Sequence, residues 1–93
     1  MSVLYLDTSA LVKLYVREKG SALTKKAVEA ARLVATSRIA WVEAHSAFAR
    51  RHREKSLSKS AFETARKALK DDWPSFLVVE FGERIALRAA QIV

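Results

Sequence analysis

An α/β fold built on a parallel sheet is what this 93-residue sequence predicts, and three observations carry that expectation. Short apolar runs rich in strand formers recur along the chain, each too short to be a helix. Between them stand segments whose apolar residues repeat at helical spacing. With only two glycines and one proline, caps rather than long loops punctuate the alternation. Strands that alternate with helices imply parallel pairing, because each helical stretch carries the chain back across the sheet.

Val3-Leu4-Tyr5-Leu6 reads as the first buried strand, closed by Asp7-Thr8-Ser9. From Ala10 the spacing changes: Leu11, Leu14 and Tyr15 form a helix stripe, with Ser9 at the N-cap position. Glu18-Lys19-Gly20 ends this helix on a glycine stop. Ser21 opens a second helix with Leu23, Ala27, Ala30 and Ala31 as its apolar face. Leu33-Val34-Ala35-Thr36 is the second strand, and Ser37 caps a third helix running from about Ile39 to about Arg53. Ser60 and Glu63 have capping-box spacing and begin a fourth helix through Phe62, Ala65 and Leu69. Asp71-Asp72-Trp73-Pro74 breaks it, Phe76-Leu77-Val78-Val79 forms the third strand, and Glu83–Val93 is helical in pattern. A single domain is expected over residues 1–93, without repeat, linker or low-complexity segment.

Composition narrows the function. Hydrophobic residues make up 51% of the chain, too many for disorder, and there is no cysteine. A disulfide scaffold, a thiolate metal site and a thiol nucleophile are thereby excluded. No apolar run approaches the roughly 20 residues of a membrane span. The opening stretch lacks the basic region of a secretory signal, so a cytoplasmic protein is expected. Seventeen Lys and Arg against ten Asp and Glu leave a formal charge of +7. The excess is concentrated in residues 44–70, with eight basic and two acidic side chains, Arg50, Arg51, Arg53 and Lys55 among them. Such a segment either attracts a phosphate backbone or is a solvated helix face.

Two acids stand where chemistry is expected. Sites in open parallel sheets form beyond the carboxyl ends of the strands. Asp7 follows the first strand directly, either to cap the next helix or to hold a cation. Glu43 lies about one turn inside the third helix, among Ile39, Ala40, Trp41, Val42, Ala44 and Ala47. That helix begins at the same edge, so the two carboxylates converge on a site suited to Mg²⁺ or Mn²⁺. An ion pair of Glu43 with Arg50 or Arg38 is the competing reading. His45 and His52 are seven residues apart, too distant to chelate as an i, i+4 pair. Trp41, Trp73, Tyr5 and Phe76 read as core or interface residues. A Gly-rich phosphate loop and a G-x-S-x-G elbow are both absent.

These residues carry a resemblance. V-L-Y-L-D-T-S-A-L-V-K-L-Y, from Val3 to Tyr15, is similar to the opening strand, acid and helix of PIN domains, specifically of VapC-type toxin ribonucleases. T-S-R-I-A-W-V-E-A-H-S-A-F-A-R, from Thr36 to Arg50, resembles that family's second motif, a helix carrying an acid. The resemblance implies a three-layer fold with a central parallel sheet flanked by helices. It also implies Mg²⁺- or Mn²⁺-dependent hydrolysis of RNA phosphodiesters, with Asp7 and Glu43 as metal-holding catalytic acids. Ser9 would support Asp7 by hydrogen bonding, and Arg50, Arg51 and Arg53 would meet the RNA. Implied partners are RNA, a VapB-type antitoxin, and further copies in a homodimer or higher oligomer; Leu11, Leu14 and Tyr15 are either antitoxin contacts or plain core.

The chain also departs from the family pattern. Two later acids of the family would follow Val93, and none of Glu54, Glu63, Asp71, Asp72, Glu80 and Glu83 stands in their motifs. The resemblance therefore covers the family's first two-thirds, with truncation at the C-terminus. Weak metal affinity and little cleavage by these 93 residues alone are expected. The alternatives are an inactive PIN remnant acting by dimerisation or antitoxin binding, and a basic nucleic-acid-binding module in which Asp7 is only a cap.

Overall fold

The computed structural model describes residues 3–80. Strand β1 (Val3–Leu6) leads into helices α1 (Thr8–Tyr15) and α2 (Ser21–Ala30), followed by β2 (Leu33–Ser37). Helices α3 (Arg38–Arg53) and α4 (Lys59–Asp72), then a 3-10 turn at Trp73–Ser75, lead to β3 (Leu77–Val79). The strands form one parallel sheet in the order β1-β2-β3. The α/β expectation holds, and each strand lies on its apolar run. Leu6 stands opposite Thr36, and Ser37 opposite Val79. All three strands therefore end at one edge, where Asp7, the start of α3 and Glu80 follow them.

Sequential parallel strands joined by crossovers of one hand place their helices on the same face of the sheet. Leu4 and Leu6 of β1 and Val34 of β2 point to that face and join its core. Leu11, Val12 and Val16, then Ala40, Ala44, Ala47 and Phe48, then Ala65 and Leu69 complete it. Alanines on α3 let its neighbours approach closely, and Phe48, with no exposed surface, fills the remaining volume. Thr36 is also fully buried. Its hydroxyl donates to the Leu6 carbonyl at 2.8 Å, so no polar group there is left unpaired.

Several element ends differ from expectation. Asp7, not Ser9, caps α1, accepting from the Ala10 N–H at 2.9 Å. The strand turns straight into the helix, which leaves Thr8 and Ser9 already helical. Ser37 caps α3 as expected, accepting from the Ala40 N–H at 3.1 Å. For α4 the cap is Ser58 rather than Ser60, accepting from the Ala61 N–H at 3.1 Å. Helix α1 ends at Tyr15, and Gly20 stands instead before α2 with φ 93°. That positive φ disfavours any side chain, and a Cβ there would also come within 3.1 Å of the flexible Lys13 Cε.

The apolar face expected for α2 is not the one that packs. Leu23 is 75% exposed, and Ala27 and Ala30 are exposed too. Val28 meets the core instead, while buried Ser21 donates to the Val16 carbonyl at 3.1 Å. Alanines offer too little apolar area to set a helix's rotation against hydrogen bonds at its start. Phe76 lies just before β3. The helix expected over Glu83–Val93 falls outside the described residues.

Tyr15 ties α1 to the end of α4, its hydroxyl donating to Asp72 Oδ2 at 2.8 Å. Burial, then the bonded carboxylate, pushes the phenol well above its usual range. The folded state thus keeps a proton that the unfolded chain releases near pH ~10. This contribution is full below that pH and is lost progressively as pH rises from it toward the raised value of the folded state. Tyr15→Phe is expected to cost about 1 kcal/mol at neutral pH and to flatten the alkaline loss of stability. Melting curves between about pH 8 and 11 would show both effects, and an unchanged alkaline limb would contradict the assignment.

Candidate active site

The end of β1 delivers Asp7 to the carboxyl edge, exposed, with Oδ1 engaged by the first turn of α1. Because α3 starts directly after β2, its second turn brings Glu43 to the same edge, also exposed. The residue after Asp7 completes the connection: the Thr8 hydroxyl donates to Glu43 Oε1. The start of α1, directly after Asp7, is thus joined to Glu43 of α3. An ion pair of Glu43 with Arg38 is not formed. The Arg38 Nε donates instead to Glu80 Oε2 at 2.6 Å.

The supporting residues divide differently from expectation. Ser9 is exposed, and its Oγ accepts from Lys13 Nζ at 3.1 Å, within its own helix. The hydroxyl that reaches Glu43 is that of Thr8, a residue to which the sequence assigned no role. Arg51 is half-buried and sits 3.1 Å from Glu18 Oε1, while Glu18 Oε2 lies 3.5 Å from Lys13 Nζ. It therefore tethers α3 to the α1–α2 connection. Arg50 and Arg53 are exposed. Arg50, seven residues after Glu43, shares its side of α3, and no ion pair joins them among the described residues.

Neither histidine joins the acids. His45 packs 4.5 Å from the Trp41 ring, and its pKa is lowered by burial and then by Arg66. His52 stacks on Phe62 with ring centroids 4.9 Å apart. Among the described residues, no three His, Cys, Asp or Glu side chains are placed to hold a metal together. Asp7 and Glu43 are hard oxygen donors, the type that Mg²⁺ and Mn²⁺ take. Glu80 reaches the same edge through β3, but Arg38 is its partner there.

The model of the PIN domain family matches residues 4–93. The chain belongs to the PIN domain family. It is similar to two proteins of Mycobacterium tuberculosis, Ribonuclease VapC45 of strain CDC 1551 / Oshkosh and Ribonuclease VapC49 of strain ATCC 25618 / H37Rv. Each is 29% identical over 92 residues, covering 99% of this chain and 64% of the relative. The chain thus spans a little under two-thirds of the length of these relatives. As a PIN domain, it carries the strand-end acid and the helix-borne acid on which the resemblance rested.

Thr8 gives this PIN domain a testable feature. Thr8→Val keeps the side-chain shape and removes the donor to Glu43. It is expected to weaken Mn²⁺ affinity roughly tenfold, as loss of a ligand-orienting bond does. Thr8→Ser is expected to restore it. Isothermal titration would decide, and equal affinity in Thr8→Val would remove Thr8 from the site.

Proposed function

We propose that this PIN domain belongs to a VapC-type endoribonuclease that hydrolyses RNA phosphodiesters using Mg²⁺ or Mn²⁺. The observation that carries the reading is the Thr8–Glu43 hydrogen bond, which joins the acid-bearing elements at one sheet edge. The names of the two ribonuclease relatives support it. Asp7 and Glu43 would hold the cation, and Thr8 would fix the Glu43 rotamer. A divalent cation bound there supplies Lewis-acid stabilisation of charge developing on a phosphate. Arg50, on the Glu43 side of α3, and Arg53 would meet the RNA backbone as exposed cations. Arg51, held by Glu18, would keep α3 in place instead.

A VapB-type antitoxin and self-association into a homodimer or higher oligomer belong to the same proposal, as does a cytoplasmic location. Leu11 has no exposed surface and is a core residue, so an antitoxin would have to meet Leu14 and Tyr15 instead. No helix among the described residues is long and apolar enough to cross a membrane. The test is cleavage of single-stranded RNA by the intact protein as Mn²⁺ is titrated. Cleavage should require the cation and disappear in Glu43→Gln. Cleavage that persists in EDTA or in Glu43→Gln would sink the reading. Cation-dependent RNA binding without cleavage would favour the remnant instead.

A further inference from the structure

Across α3 from Glu43 lies a basic feature that the acids do not use. A cleft of about 510 Å³ opens between α3 and α4, lined by Trp41 and His45 on one helix and Arg66, Lys67 and Lys70 on the other. Glu63 and Asp71 line it as well. Lys67 is bound to Asp71 at 2.8 Å, which sets one cation against one acid. Arg66 lies over the Phe62 ring, 5.4 Å from its centroid. Neither Arg66 nor Lys70 forms an ion pair with an acid among the described residues.

Packed rings form the wall on the α3 side. Trp41 is half-buried, 4.8 Å from the Trp73 ring and 4.5 Å from His45. An α-helix turns about 100° per residue, so Glu43 and Trp41 stand on opposite sides of α3. Ile39 and Val42 lie on its solvent side between them, 51% and 61% exposed. Among the described residues, these two exposed apolar side chains lie between the acid edge and the cleft.

We infer that this cleft holds a nucleotide flanking the cleavage position of a single-stranded RNA, its base against Trp41 and its phosphate on Arg66 and Lys70. The inference rests on the ribonuclease reading above, which places the scissile phosphate at Asp7 and Glu43. Any base offers a π-face to an aromatic wall, and an unpaired strand can splay its bases into a cleft as a duplex cannot. Arg66 presents a planar fork and Lys70 a mobile charge, both suited to a phosphate. The His45 ring, 4.5 Å from Trp41, extends the aromatic wall. Crossing α3 means spanning its diameter, about 10–12 Å, a distance of only a few nucleotides.

Fluorescence anisotropy of a labelled single-stranded RNA in EDTA measures binding apart from cleavage. In the intact protein, Arg66→Glu with Lys70→Glu changes two exposed side chains. It is expected to weaken binding roughly tenfold or more, and to reduce the salt slope by about 0.7 per lost phosphate contact. Lys25→Glu with Lys26→Glu, the same charge change on exposed positions of α2, is expected to cost less than about threefold. In a Trp73→Phe background, RNA should quench Trp41 fluorescence, and the cleft variant should lose the quenching. Equal losses from the two double variants, or an unquenched Trp41, overturn the inference. Absence of Mn²⁺-dependent cleavage with the binding contrast intact overturns the ribonuclease reading and leaves the cleft as an RNA site.

Discussion

Asp7→Asn is expected to abolish metal-dependent RNA cleavage while leaving the fold intact, and Asp7→Ala to lose stability as well as activity. The split follows from the two tasks of one side chain. Asp7 ends β1 and caps α1 through the Ala10 N–H at 2.9 Å, and in the proposed site it also holds the cation. Asparagine caps a helix about as well as aspartate, so stability should stay within a few tenths of a kcal/mol. Its neutral amide, however, is a poor substitute for a carboxylate ligand. Loss of a ligand-orienting partner alone costs about 10–100-fold, so loss of a ligand should lower kcat/KM roughly a hundredfold or more. Alanine removes the cap too, at about 1 kcal/mol, which for a domain this small lowers Tm by about 4–8 °C. Parallel activity assays and thermal melts would separate the tasks. Near-normal cleavage by Asp7→Asn would remove Asp7 from catalysis and leave only its cap.

Phe48→Ala is expected to have the largest effect on stability, about 3–5 kcal/mol. The side chain is fully buried and meets the Tyr15 ring edge-on at 6.4 Å and His45 at 5.8 Å. Its neighbours on α3, Ala44 and Ala47, are too small to fill the space it would leave. Domains of about this length are stable by only about 5–15 kcal/mol, so the loss would consume much of the margin. Phe48→Leu leaves a smaller void and should cost about half as much. Urea denaturation would measure both. A loss below about 1 kcal/mol for Phe48→Ala would show that the α1–α3 packing does not hold the domain together. Because those two helices carry Thr8 and Glu43, their separation would dismantle the candidate site as well.

The strands were legible because buried parallel strands are continuous apolar runs, bounded here by residues that stop them. Glu43 stood out in the sequence as an acid among Ile39, Ala40, Val42 and Ala44, but Ile39 and Val42 are exposed beside it, so it interrupts no packed face. Caps were harder to read. Asp7, Thr8 and Ser9 all have side chains that can cap, as do Ser58 and Ser60, and composition does not choose among them. The rotation of α2 was misread because its alanines bury little area wherever they point. Glu80 was passed over because it matches no motif. Its position beside Arg38 is visible only once β3 is paired with β2.

Local pattern alone therefore specified the parallel α/β class, the strand-end acid Asp7 and the helix-borne acid Glu43. Each depends on spacing along a single element, and periods of two and 3.6 residues are written directly in the chain. Tertiary structure decided that Thr8 reaches Glu43 while Ser9 meets Lys13 rather than Asp7, that Arg51 binds Glu18, and that Arg38 pairs with Glu80. Adjacent helical residues point about 100° apart, so a small rotation of α1 or α3 changes which of them faces a partner. That rotation is set by the packing of Phe48, Leu11 and Leu69 in a shared core, a contact among residues far apart in sequence.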